Sequence, residues 1–152
     1  NDKRGQQLRL LYKKEDFSVP KNFHIIGMMN TADRSLATLD YALRRRFGFF
    51  ELAPAFDSAG FASRVEETES SGLINLITTI KELNSAIRSD EALGKGFEIG
   101  HSYLVPSTAA SEDDSWLDSV VNDELIPLLE EYWFDSPDQV ATWTIKLRAA
   151  IQ

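Results

Sequence analysis

The side chains best suited to chemistry crowd into one short stretch: Asn30, Asp33, Arg34, Asp40, Arg44, Arg45 and Arg46 fall within seventeen positions. Cations at a helix end have a plain structural explanation, because the helix dipole favours them by about 0.3 to 1 kcal/mol. That accounts for one arginine. With three in a row directly before Phe47-Gly48-Phe49-Phe50, mutual repulsion exceeds what a dipole offsets, so the triplet points to an anionic partner. Arginine suits phosphate because its planar fork holds two oxygens at once and never loses its charge. Asn30 brings a carboxamide that both donates and accepts, although a lone asparagine after an apolar run is ordinarily a turn former. Two local alternatives stay open. Arg44 can pair with Asp40 four residues earlier as a helix ion pair, and Asp33 with Arg34 can make a turn contact.

The elements that must position these residues follow from patterning. Phe23-His24-Ile25-Ile26-Gly27-Met28-Met29 is a nearly continuous apolar run, the pattern of a central strand buried on both faces of a parallel sheet. Ser35 can cap a helix over residues 36–45, and residues 47–52 read as another strand. Strand, loop, helix, strand is the grammar of an open α/β sheet, whose ligands bind beyond the carboxyl ends of its strands, where Asn30 stands. A helix over 36–45 advances about 15 Å. It carries the arginines away from Asn30, so the two serve one ligand most simply across an interface, with the arginines reaching a neighbour's nucleotide in a ring or head-to-tail filament.

Upstream, residues 8–12 and 17–23 predict a hairpin closed by a polar turn over 13–16, with Pro20 confining the return to an edge. Downstream of Pro54 the pattern becomes helical. Asp57 can cap a helix to about Glu67; Gly72 separates it from a longer one with Leu73, Leu76, Ile77, Ile80, Leu83 and Ile87 on one face. Residues 89–114 read as a long irregular connection, of the kind that carries function or moves, and His101 lies within it. That histidine can approach a nucleotide or a neighbouring subunit, or serve as a hydrogen-bonded structural residue. A helix over 115–134 should kink or break at Pro127. Ser136, Pro137 and Gln139 supply an N-cap, a first-turn proline and a capping-box partner for a last helix with Val140, Trp143, Leu147 and Ile151 on its apolar stripe. Trp116, Trp133 and Trp143 read as core, and Glu66-Glu67 and Glu130-Glu131 as solvated faces.

The bulk numbers narrow the function classes. At 152 residues and 43% hydrophobic, the chain can bury one core, and no apolar run approaches the roughly 20 residues of a membrane span. Zero cysteines exclude a disulfide framework and a thiolate zinc site. The net charge is 16 − 24 = −8, but residues 1–52 carry ten basic and six acidic side chains, +4, and the other hundred carry six and eighteen, −12. That balance argues against general DNA coating; any polyanion contact belongs to the first third. An opening Asn1-Asp2-Lys3-Arg4-Gly5, with neither initiator Met nor apolar segment behind it, leads us to expect no secretory signal and an excised piece of a cytoplasmic protein.

The strings Gly27-Met28-Met29-Asn30-Thr31-Ala32-Asp33-Arg34-Ser35 and Asp40-Tyr41-Ala42-Leu43-Arg44-Arg45-Arg46-Phe47 together resemble the second half of the AAA+ core of McrB-type GTPases, the motor subunits of modified-cytosine restriction systems. Gly96-Phe97-Glu98-Ile99-Gly100-His101-Ser102-Tyr103 and the run from Asn122 to Tyr132 extend the resemblance over nearly the whole chain. It implies an α/β fold, with the C-terminal strands of an AAA+ P-loop NTPase core in residues 1–54 and an all-α helical lid in residues 55–152. It further implies Asn30 as the sensor-1 asparagine, Arg45 and Arg46 as arginine fingers, and Asp33, Arg34, Asp40, Arg44 and His101 near an intersubunit nucleotide site. GTP or ATP with Mg2+ is the implied cofactor set. Implied partners are further copies in a ring, an McrC-like endonuclease subunit and DNA, with no membrane. No Gly-x-x-x-x-Gly-Lys-Ser/Thr loop and no apolar strand ending in Asp-Glu occurs in the sequence, so this chain alone is expected neither to bind nucleotide tightly nor to hydrolyse it. Two rivals remain: another AAA+ ATPase acting as a remodeller, and a nonenzymatic helical docking module.

Overall fold

The computed structural model describes residues 3–30, 44–105 and 115–152, in two compact units, Asn1–Asn30 and Thr31–Gln152. In the first, β1 (Leu8–Arg9) pairs antiparallel with β2 (Asp16–Phe17), Leu8 opposite Phe17 and Arg9 opposite Asp16. The turn is tied by Leu10 N–H to Glu15 O at 2.9 Å and Lys14 N–H to Leu10 O at 2.9 Å. The expected hairpin is therefore present, but shorter: Asp16 belongs to the ladder rather than the turn, and pairing stops at Phe17. Gly5, at φ 81°, donates its N–H to Val19 O at 2.7 Å, a left-handed position that suits glycine.

The central strand expected over residues 23–29 is not formed. No ladder includes it, and Ile26 and Met28 are 93% and 99% exposed. Residues 47–52 likewise carry no ladder. An apolar run becomes a strand only where neighbours take its N–H and C=O groups, and the one sheet among the described residues is the two-residue pair β1-β2. Ser35 and most of the helix expected over 36–45 lie outside the described residues; Arg44 is helical and the chain turns at Arg45 and Arg46.

The second unit is helical, as its stripes predict. Helix α1 (Ala59–Thr68) is capped by Ser58, whose hydroxyl accepts from Phe61 N at 3.4 Å, one residue later than expected. Helix α2 (Ser71–Ser89) is capped by Ser70, which accepts from Leu73 N at 3.1 Å. Gly72 thus lies inside the first turn instead of separating the helices. A first turn has no intrahelical acceptors for its N–H groups, so a side-chain oxygen fixes the start more strongly than a glycine interrupts it.

Helix α3 (Ser115–Ser119) passes through a π-helical stretch, Val120–Leu125, into α4 (Ile126–Tyr132). Pro127 breaks the helix as predicted, and the break takes this form because proline cannot donate to the carbonyl four residues back. Ile126 N–H bonds the Val121 carbonyl five back. Helix α5 (Pro137–Ala150) begins at a proline, but Ser136 makes no side-chain cap bond; its carbonyl takes the N–H groups of Gln139 at 3.0 Å and Val140 at 3.3 Å. The expected capping box is absent.

Leu73, Leu76, Ile80, Leu83 and Ile87 of α2 meet Leu117, Val121, Leu125 and Leu129, Trp133, and Trp143 and Leu147 of α5 in one core. Each fully buried Leu or Ile contributes about 1.5–3 kcal/mol. Trp133 and Trp143 are buried and Trp116 half-buried, whereas Glu66, Glu67, Glu130 and Glu131 are exposed, as read from sequence. No helix among the described residues is long and apolar enough to cross a membrane.

Candidate functional site

The sequence-predicted site residues are distributed over both units. Asn30 ends the first unit and is exposed; Asp33, Arg34 and Asp40 lie outside the described residues. Arg44, Arg45 and Arg46 are exposed. The Arg44 guanidinium stands over the Phe49 ring, 5.7 Å from its centroid, a cation–π contact that lets the ring flank part of the local positive charge. Arg45 and Arg46 stand on a turn rather than in helix, outside the helix geometry that would spread consecutive side chains around an axis.

His101 is placed in the second unit by a loop that the helices build. After α2, Asp90 turns the chain: its Oδ1 accepts from Ala92 N at 2.7 Å and Leu93 N at 3.2 Å, and its Oδ2 from Trp133 Nε1 at 2.8 Å. Two single turns of 3₁₀ helix follow, Lys95–Phe97 and His101–Leu104. Between them, the buried Asn84 of α2 holds both backbone groups of Ile99, donating from Nδ2 to its carbonyl at 2.8 Å and accepting its N–H at Oδ1 at 2.7 Å. Arg88 donates from Nε to Glu98 Oε1 at 2.6 Å. Phe97 meets Tyr132 edge to face at 5.2 Å. The connection expected to be irregular over 89–114 is thus docked at several points through Leu104, which is itself fully buried.

Within this frame His101 Nδ1 accepts the Ala55 N–H at 3.1 Å, and its ring meets Phe56 and Phe61 edge to face at 6.2 and 5.5 Å. Accepting at Nδ1 requires the neutral ring with its proton on Nε2. Of the two readings of His101, the hydrogen-bonded structural one is what the geometry displays. Asn84, Asp90 and Glu98 were not singled out from sequence. Asn84 had a legible signal, because it occupies a stripe position between Ile80 and Ile87, where a polar side chain must find buried partners.

Two consequences are measurable. Asn84→Ala leaves a buried N–H and C=O of Ile99 without partners and should lower unfolding free energy by on the order of 2 to 4 kcal/mol; a urea titration showing less than about 0.5 kcal/mol would contradict the clamp. The Trp133 indole and the two backbone N–H groups hold the Asp90 carboxyl below its ordinary value, outweighing the opposing effect of desolvation. A depressed folded pKa makes this stabilisation fully present above the unfolded value of about 3.9 and lost as pH falls through the folded one. Asp90→Asn should therefore destabilise at pH 7, and the gap from the unaltered protein should narrow below about pH 4. A gap constant from pH 7 to pH 3 would remove the carboxylate from that role.

Among the described residues no group of three or more His, Asp or Glu side chains could hold a metal ion, and the sequence has no phosphate loop.

Comparison with known proteins connects this geometry to a family. Residues 75–141 match the family described as McrB, alpha-helical lid domain, the span from the second turn of α2 into the first turns of α5. The "Type IV methyl-directed restriction enzyme EcoKMcrB subunit" of Escherichia coli (strain K12) is 45% identical over 157 aligned residues, covering 97% of this chain and 34% of the relative. The chain thus spans about a third of the length of the curated relative it matches. A helical lid formed by α2 to α5, within a kinship that runs through nearly the whole sequence, makes this a chain of the McrB type.

Proposed function

We propose that this chain is part of the nucleotide-hydrolysing AAA+ motor subunit of a modified-cytosine-specific, type IV restriction system. In this reading GTP hydrolysis drives DNA translocation and activates an McrC-like partner nuclease, in the cytoplasm. The observation that carries the proposal is the 45% identity to a methyl-directed restriction subunit across 97% of the chain. That range takes in the arginine triplet as well as the lid. Residues 1–54 are assigned to the α/β core and residues 55–152 to the lid.

The roles follow from side-chain chemistry. Phosphoryl transfer spreads negative charge over the equatorial oxygens of the transferring group, and catalysis consists of positioning and electrostatic stabilisation. Arg45 and Arg46 supply fixed positive forks to that charge from the neighbouring copy of a ring, with Arg44, Asp33, Arg34 and Asp40 lining the same junction. Asn30 orients the attacking water, its amide donating on one side and accepting on the other. Magnesium would supply charge neutralisation at the phosphates, and the residues that would hold it, with the phosphate cradle, would come from outside this chain. His101 has no assigned contact with nucleotide.

A mixing experiment tests the arrangement across copies. Full-length Arg45→Ala and Asn30→Ala proteins should each be nearly inactive, and mixing them should restore turnover, because some junctions combine an intact finger with an intact asparagine. Mixtures no more active than their components would place both residues in one copy's site and overturn the trans assignment.

A further inference from the structure

The chain that leaves the arginine triplet is tied back to the lid at two places. Lys95 Nζ stands 3.1 Å from Glu51 Oε1, and His101 Nδ1 accepts the Ala55 N–H at 3.1 Å. The first is an exposed ion pair, 52% and 66% exposed, which contributes little by itself. The second is part-buried and directional, and the Phe56 and Phe61 rings flank the same imidazole. The loop that carries both contacts is held from behind by Asn84 on Ile99 and by Phe97 on Tyr132. Only four residues lie between Arg46 and Glu51, and Glu51 to Ala55 carries no helix or strand of its own to set its course.

We propose that residues 95–104 form a strap that fixes the segment after the arginine triplet to the lid, with His101 as its positioning residue. Displacement of the lid is then passed through Asn84, Ile99 and His101 to Ala55, and along the short segment to Arg45 and Arg46. The strap itself is independent of the function proposed above; its effect on turnover rests on that reading.

The experiment uses two substitutions in the full-length protein. His101→Phe keeps a ring against Phe56 and Phe61 but has no acceptor, whereas His101→Asn places a carboxamide oxygen near the Nδ1 position. Hydrogen exchange at Ala55, read in a peptide spanning 53–57, should quicken about tenfold in His101→Phe, with peptides of α2 unchanged, and return to within about twofold in His101→Asn. Nucleotide turnover should fall about tenfold in His101→Phe and recover in His101→Asn, since small misplacements of a catalytic group are costly. Unchanged exchange in His101→Phe overturns the strap. Faster exchange with unchanged turnover, in a protein that Arg45→Ala silences, overturns the link to the arginines. If Arg45→Ala is itself without effect, the functional reading fails while the exchange result still decides the strap.

Discussion

If the proposed motor reading holds, Arg45→Ala or Arg46→Ala in the full-length protein should lower GTP turnover by about 10³-fold or more, while nucleotide affinity stays within a few-fold. The size follows from what a finger does. It meets charge that develops only in the transition state, and trans-acting arginines of this kind are worth about 10³ to 10⁵ in turnover. The split follows from the same fact, since an interaction absent from the ground state moves kcat and leaves binding almost untouched. Arg44→Ala should do much less, because its guanidinium already stands against Phe49. Turnover per bound nucleotide that survives loss of Arg45 and Arg46, with affinity reduced instead, would make the triplet a binding patch and remove it from catalysis.

Asn30→Ala should lower turnover by about 10²-fold, again more than affinity, in line with the cost of removing one preorganised polar group aimed at the reacting atoms. Asn30→Asp separates two possible contributions. The carboxylate can still accept from water but repels the phosphate, so it should be at least as damaging as alanine. Turnover unchanged in either variant would return Asn30 to the role of a turn former.

What the sequence makes legible is what periodicity governs. The α2 stripe and the α5 stripe name their buried residues because one face at helical spacing leaves little choice of orientation, and Pro127 announces its break because a missing N–H has only a few remedies. Helix starts were displaced by a residue or two where capping residues adjoin, as at Asp57 and Ser58 or Ser70 and Gly72. The runs at 23–29 and 47–52 show the limit from the other side. Their composition states an apolar environment, but a strand is a relation between segments, and the partners are not legible within the run. For the site, the arginine triplet and Asn30 stand out by residue type alone. The bond from His101 to Ala55, 46 positions apart, leaves no local trace. Only the fold brings the 95–104 loop onto the segment that follows the arginines.

Nucleotide hydrolysis by the full-length protein, comparing GTP with ATP and with and without an McrC-like nuclease subunit, decides whether the chain belongs to a restriction motor. A restriction motor of the proposed kind turns over GTP in preference to ATP and is stimulated by its partner nuclease subunit. Turnover of ATP that is indifferent to the partner, or no turnover of either nucleotide, would contradict it.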